Sequence, residues 1–159
     1  MNTVLKTICL AASLTVSALT ASAQSQPATR LLPGYLYPVE TTAPNKKIYV
    51  CGSRPIDTQG QVVGKGNLNT QLSLIFANLT KSLNTVGLGP GNIRQISYRV
   101  TDAGQKANGD NAQVINALAA GYFGQNKVDL PSISEIKNVP QQVSADVVIE
   151  VEVVAIKEG

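Results

Sequence analysis

The chain has no histidine and no tryptophan, and aromatic residues make up only 4% of its 159 positions. Without histidine, the commonest general base and the commonest metal ligand are both missing. Acid–base chemistry therefore falls to carboxylates, Arg, Lys, Tyr or Cys. Charge is sparse as well: 13 basic and 10 acidic residues give a formal charge of +3. So small an excess provides no basic tract for nucleic acid. The sequence contains no metal-ligand spacing, no phosphate-binding glycine loop and no nucleophile elbow. Gly87-Leu88-Gly89-Pro90-Gly91 follows a helical pattern and reads as a helix stop. No cofactor and no metal are expected. Internal repeats and low-complexity blocks are also lacking.

No apolar run reaches the roughly 20 residues of a membrane-spanning helix. The longest apolar run lies at the N-terminus. Lys6 precedes the stretch Ile8 to Leu19, and Ala21-Ser22-Ala23 places small residues where a signal peptidase reads. Residues 1–23 are thus read as a secretory signal peptide, with Gln24 as the new N-terminus. Cys9 lies inside the run and away from the cleavage point, which argues against a lipid-anchored cysteine. The mature chain would have 136 residues (159 minus 23) and a formal charge of +2, because only Lys6 leaves. It would be periplasmic or secreted, free of the membrane, and left with Cys51 as its one cysteine. A lone cysteine cannot form an internal disulfide. Residues 24–33 are polar and read as a flexible lead-in to a domain over 34–159.

Enough is present to build one core, since 43% of the residues are hydrophobic. Lys47 to Cys51 reads as a strand, followed by a turn at Asp57-Thr58-Gln59-Gly60 and a hairpin partner at Gln61-Val62-Val63. Leu68, Leu72, Ile75, Leu79, Leu83 and Val86 recur at spacings of three and four, the signature of an amphipathic helix. Ile93 to Thr101 alternates, with Ile96, Tyr98 and Val100 on one face and Ser97, Arg99 and Thr101 on the other. A second helix fits Asn111 to Phe123. Ile133 to Ile136 is a short strand, and Val147 to Ile156 is a strong one. The order is β-β-α-β-α-β-β, an α+β fold in which two helices cover one face of a single sheet. The open face would carry Arg99, Glu150 and Glu152 beside Val148, Val154 and Ile156. That mixture suits a subunit interface, and a solvated face is the plainer alternative. The sequon Asn78-Leu79-Thr80 falls in mid-helix and reads as chance.

Three stretches carry a family resemblance. IYVCGSRPIDTQGQVV (48–63) resembles the pattern IY-(S/T)-G-Q-(I/L)-P-(I/V)-D-x-x-x-G-x-(V/I)-V of the reactive-intermediate deaminase (RidA/YjgF-type) family. Residues 71–102 are similar to its long helix and following strand, with Gln71, Asn78, Leu83, Gly87, Leu88, Ile93, Val100 and Asp102 in the expected places. VIEVEVVAI (148–156) resembles its closing strand, VEIEAIA. The resemblance implies a chorismate-mutase-like homotrimer with ligand sites between subunits. It also implies hydrolysis of enamine and imine acids such as 2-aminoacrylate to a keto acid and ammonia.

Carried over residue by residue, the resemblance assigns Glu150 as the catalytic carboxylate that positions water. Cys51 stands at the Ser/Thr position lining the cleft, and Ser53 replaces the usual Gln. The N-terminal cleft tyrosine matches Tyr37 best, with Tyr35 as the alternative. The substrate-clamping Arg of a Pro-x-Arg-(S/T) motif is missing: Pro131-Ser132-Ile133-Ser134 puts Ile133 at its position and Ser134 after it, an alignment without gaps toward Pro140 puts Pro131 there, and neither restores an Arg. Such a clamp contributes about 2–5 kcal/mol in a cleft. Arg99 stands where the family pattern has a pocket-lining aromatic. It either relocates the clamp or pairs with Glu150 or Glu152 across the sheet. Arg54 and Lys137 read as solvated. Two functions follow from this. One is a deaminase with altered choice of a small anionic metabolite. The other is a catalytically silent trimer that binds a ligand or partner in the same clefts.

Overall fold

The computed structural model describes residues 33–43, 45–101, 111–140 and 144–159. The expected signal segment, the lead-in before Pro33, and Asp102 lie outside the described residues. Five strands form one sheet: β1 (Gly34–Val39), β2 (Lys46–Ser53), β3 (Ile93–Thr101), β4 (Ser132–Val139) and β5 (Ile149–Glu158). Their spatial order is β1-β2-β5-β3-β4, antiparallel throughout except for the parallel β3–β4 pair. Helix α1 spans Leu68–Asn84 and helix α2 spans Asn111–Gln125. A parallel pair needs a crossover, and α2 lies in the connection that supplies it.

The α+β order β-β-α-β-α-β-β is as expected, but its opening differs. The strand expected at 61–63 is only a single bridge, Ile56 to Val62. The first strand is instead Gly34–Val39, which pairs along all of its length with β2. This stretch has two tyrosines, a proline and no clear alternation, so its strand character comes from an available edge on β2 and not from its own pattern.

Helix α1 begins where Asn67 accepts a hydrogen bond from the Thr70 amide at 2.9 Å, which satisfies one free donor of the first turn. It ends before Gly87, whose φ of 70° needs a residue without a Cβ. The buried stripe is Leu68, Leu72, Ile75, Leu79 and Leu83, joined by Phe76. Phe76 stacks on Tyr122 of α2 with ring centroids 4.4 Å apart, and Phe123 meets both rings edge-on. Beneath the helices lie Cys51, Ile96, Tyr98, Val100, Ile149, Val151, Val153 and Ala155. Both helices thus cover the same face of the sheet. Two residues expected on the open face are not there. Val148 precedes β5 and is fully buried in the core, and Thr101 is buried with its hydroxyl donating to Val147 O at 3.1 Å.

Candidate functional site on the open sheet face

Strand register orders the open face into four rows across the sheet. Val39, Ile48 and Ile156 form the first, and Tyr37, Val50 and Val154 the second. The third is Tyr35, Gly52, Glu152, Ser97 and Glu135. The fourth places Glu150 opposite Arg99, with Lys137 beyond it. Half the face is therefore apolar and half is charged. Such rows are fixed by register, because residues opposite one another on paired strands share a face.

The charged half encloses a small cavity of about 60 Å³, lined by Tyr35, Gly52, Arg54, Arg99, Glu150 and Glu152 among others. Gly52 makes the site possible. A Cβ there would lie 2.2 Å from the Tyr35 ring, so only glycine lets that ring cross β2. The ring reaches far enough for the Tyr35 hydroxyl to donate to Glu152 Oε2. Burial, reinforced by that bond and by the Glu152 charge, pushes the Tyr35 phenol well above its usual range, while Arg99 pulls the other way. Tyr35 therefore acts as a hydrogen-bond donor and keeps its proton.

Glu150 is held by Arg54, whose Nε donates to Glu150 Oε1 at 3.0 Å. Arg54 was expected to be solvated and is instead part of the site. Its position explains this: it follows β2 directly, and its own amide is anchored to Pro33 O at 2.7 Å. Arg99 points to the same cavity from the other side of Glu150. Among the described residues it forms no ion pair, with either Glu150 or Glu152.

The remaining expected site residues lie elsewhere. Tyr37 is 48% exposed and stacks on Tyr35 at 5.8 Å, and it is Tyr35 that lines the cavity. Cys51 points to the opposite face, because it alternates with Gly52. It is fully buried in the core, and desolvation pushes its thiol up to about 11 against a weaker opposing hydrogen bond from Ser82. A thiol of that kind is unreactive at neutral pH. Ile133 and Ser134 sit on the edge strand β4. Ile133 is paired with the core residue Ile96, and Ser134 falls where the register shifts. Neither reaches the cavity of its own chain.

Asn78 of the sequon carries a structural role, donating to Arg54 O at 3.3 Å and Ile56 O at 3.2 Å. Sequence reading gives Tyr35 only as the alternative to Tyr37 and takes Arg54 as solvated. The signal that could have found Tyr35 is the glycine inside β2, which marks close approach of another group.

A model of the family described as Endoribonuclease L-PSP matches residues 32–157. The chain belongs to this family, which includes the RidA/YjgF-type proteins. It is similar in fold to the YjgF gene product of E. coli, with TM-score 0.59 and 22% identity over 81% of this chain and 92% of that one. It is likewise similar to E. coli TdcF with bound serine (TM-score 0.58, 20% identity, 83% and 97% covered). A third likeness is to YyfB of Yersinia pestis, a Rid-family protein of unknown function (TM-score 0.55, 23% identity, 75% and 84% covered). No curated protein matches the chain.

Proposed function

We propose that the protein is a hydrolytic deaminase of small enamine and imine acids, which it converts to the keto acid and ammonia. The observation that carries this reading is Arg99, a guanidinium without an ion-pair partner among the described residues, beside Glu150 and the Tyr35–Glu152 pair. Arg99 would hold the substrate carboxylate in the absence of an Arg at Ile133. Glu150 would take a proton from water as the oxygen adds to the C=N carbon and return it to nitrogen, giving the carbinolamine. It would then move the hydroxyl proton to nitrogen as the C–N bond breaks, so that C=O forms and ammonia leaves. The serine bound by TdcF is a small carboxylate of this size class. A ribonuclease reading has less support, because on the open face Arg54, Arg99 and Lys137 are matched by Glu135, Glu150 and Glu152. A phosphate backbone selects uncompensated cations.

The ligand is an anion, so Arg99→Ala is expected to weaken pyruvate binding about 30-fold or more in a calorimetric titration. Unchanged affinity would remove Arg99 from the site. The binding-only reading draws on one specific observation, the occupation of Glu150 by Arg54.

The proposal includes assembly as a homotrimer, with the two apolar rows as the subunit interface. Half-buried rows of Val50, Val154, Ile48 and Ile156 next to exposed Tyr37 and Val39 are the kind of patch that a partner covers. Light scattering is expected to give three times the protomer mass at micromolar concentration. A stable monomer would leave the cleft without its second wall. We also propose that residues 1–23 act as an export signal, which would put this chemistry outside the cytoplasm.

A further inference from the structure

Arg54 is fixed at its backbone and loose at its tip. Its amide donates to Pro33 O at 2.7 Å, and its carbonyl accepts from Asn78. Pro55 follows and restricts the Arg54 backbone to extended conformations. The side chain, by contrast, makes one bond among the described residues, from Nε to a single oxygen of Glu150. Among the described residues its two terminal nitrogens have no hydrogen bond. The side chain is 32% exposed, whereas that of Glu150 is only 13% exposed. A monodentate pair on a partly exposed guanidinium exchanges readily, and a carboxylate that offers two oxygens is the better partner for a planar fork. Arg99 lies on the other side of Glu150, across the same cavity.

We infer that Arg54 is a substrate-operated latch: it covers Glu150 in the empty site and transfers to the carboxylate of an incoming 2-oxo or 2-imino acid, which uncovers Glu150. This rests on the reading of the open face as a site for such acids and adds the device that admits them. No covalent bond changes; one ion pair is exchanged for another. The ligand carboxylate ends between Arg54 and Arg99, and the Glu150 oxygen released by Arg54 turns to the water. A neutral molecule cannot open the latch, so the site selects for a carboxylate before any chemistry occurs. Arg54 is accordingly a positioning and specificity residue.

The latch makes Glu150 and the ligand competitors for one guanidinium, and that competition can be measured with pyruvate as the probe. Calorimetric titrations of the assembled protein are expected to show pyruvate binding weakened about 30-fold or more in Arg54→Ala. Methyl pyruvate, which lacks the charge, should bind wild type and variant alike. Glu150→Gln should bind pyruvate several-fold more tightly than wild type, because a neutral amide holds the Arg54 guanidinium less firmly than a carboxylate does. That gain should vanish when Arg54→Ala is added.

A gain that persists without Arg54 reflects only loss of repulsion from Glu150, and it overturns the latch. Wild-type affinity in Arg54→Ala overturns it as well. Arg54→Gln keeps the backbone anchors and serves if Arg54→Ala fails to fold. Rates of 2-iminopropionate hydrolysis test the underlying reading separately. The binding pattern without turnover supports the latch in a site that does not catalyse. Turnover with no pyruvate binding by the wild type overturns the latch alone.

Discussion

Replacing Glu150 by glutamine is expected to slow 2-iminopropionate hydrolysis by about 100- to 10,000-fold, the span that one positioned acid–base group contributes. Glutamine has the same shape and retains an oxygen that can accept from Arg54 Nε, now 3.0 Å away. It cannot take a proton from water. Fold should be unaffected because Glu150 faces away from the core beneath Ile149 and Val151, and assembly because it lies outside the two apolar rows. The measurement is ammonia release from imine generated in place, with the spontaneous hydrolysis of the imine subtracted. A variant as fast as wild type would exclude Glu150 as the base. Glu152 would then be the carboxylate to test, and its bond from Tyr35 would make it a different kind of acid–base group.

The second large effect concerns stability. Gln71→Ala is expected to destabilise the folded protein by about 3 kcal/mol, since each buried polar group left unpaired costs about 1–3 kcal/mol. Gln71 is a fully buried polar residue on a helix that is otherwise apolar on its inner side. Its amide nitrogen donates to Gly64 O at 3.0 Å and Asp146 O at 2.6 Å, and its oxygen accepts from the Val148 amide at 2.8 Å. One side chain thereby ties the start of α1 to the chain just before β5, the strand that carries Glu150 and Glu152. Truncation would leave the Val148 amide without its partner and a void besides, while the Gly64 and Asp146 carbonyls would each keep a backbone donor, Asn67 N and Gly66 N. Denaturant or thermal unfolding checks this, with a drop in melting temperature on the order of 10 °C for a domain of this size. Gln71→Glu is a useful companion, because it keeps the volume and the acceptor but loses the donor. An unchanged midpoint for Gln71→Ala would mean that the three bonds are replaced by water at no cost.

Much of the fold could be read from periodicity. The five apolar positions read on α1, from Leu68 to Leu83, are all buried. The alternation of Ile96, Tyr98 and Val100 with Ser97 and Arg99 divides β3 as expected, and Ile149, Val151 and Val153 do the same on β5. These patterns are legible because a helix or strand with one buried face repeats its apolar residues at its own period. Strand β1 was not legible. Gly34–Val39 is exposed on most of its length, and an edge strand is held by its neighbour's backbone more than by its own side chains. The turn at Asp57 to Gly60 was read correctly, yet the chain after it forms one bridge and no strand.

The candidate site divides along the same line. Sequence by itself determined the family, strand β2 and the order of helices and strands from α1 onward, and the placing of Arg99 on the face of Glu150. Each of these depends on residue identity and on spacing within a single element. Only the tertiary structure decided that Tyr35 and not Tyr37 lines the cavity, that Cys51 belongs to the core, and that Arg54 engages Glu150. Arg54 stands where the family pattern has an aliphatic residue, and nothing local distinguishes it from a solvated arginine. Its partner is 96 residues away in sequence, and Tyr35 meets Glu152 across 117. Such contacts are set by the register of β1 on β2 and of β2 on β5, together with the gap that Gly52 leaves for a ring. Register between strands distant in sequence is fixed by burial of the whole sheet face, a property of the assembled sheet that no single stretch of the chain contains.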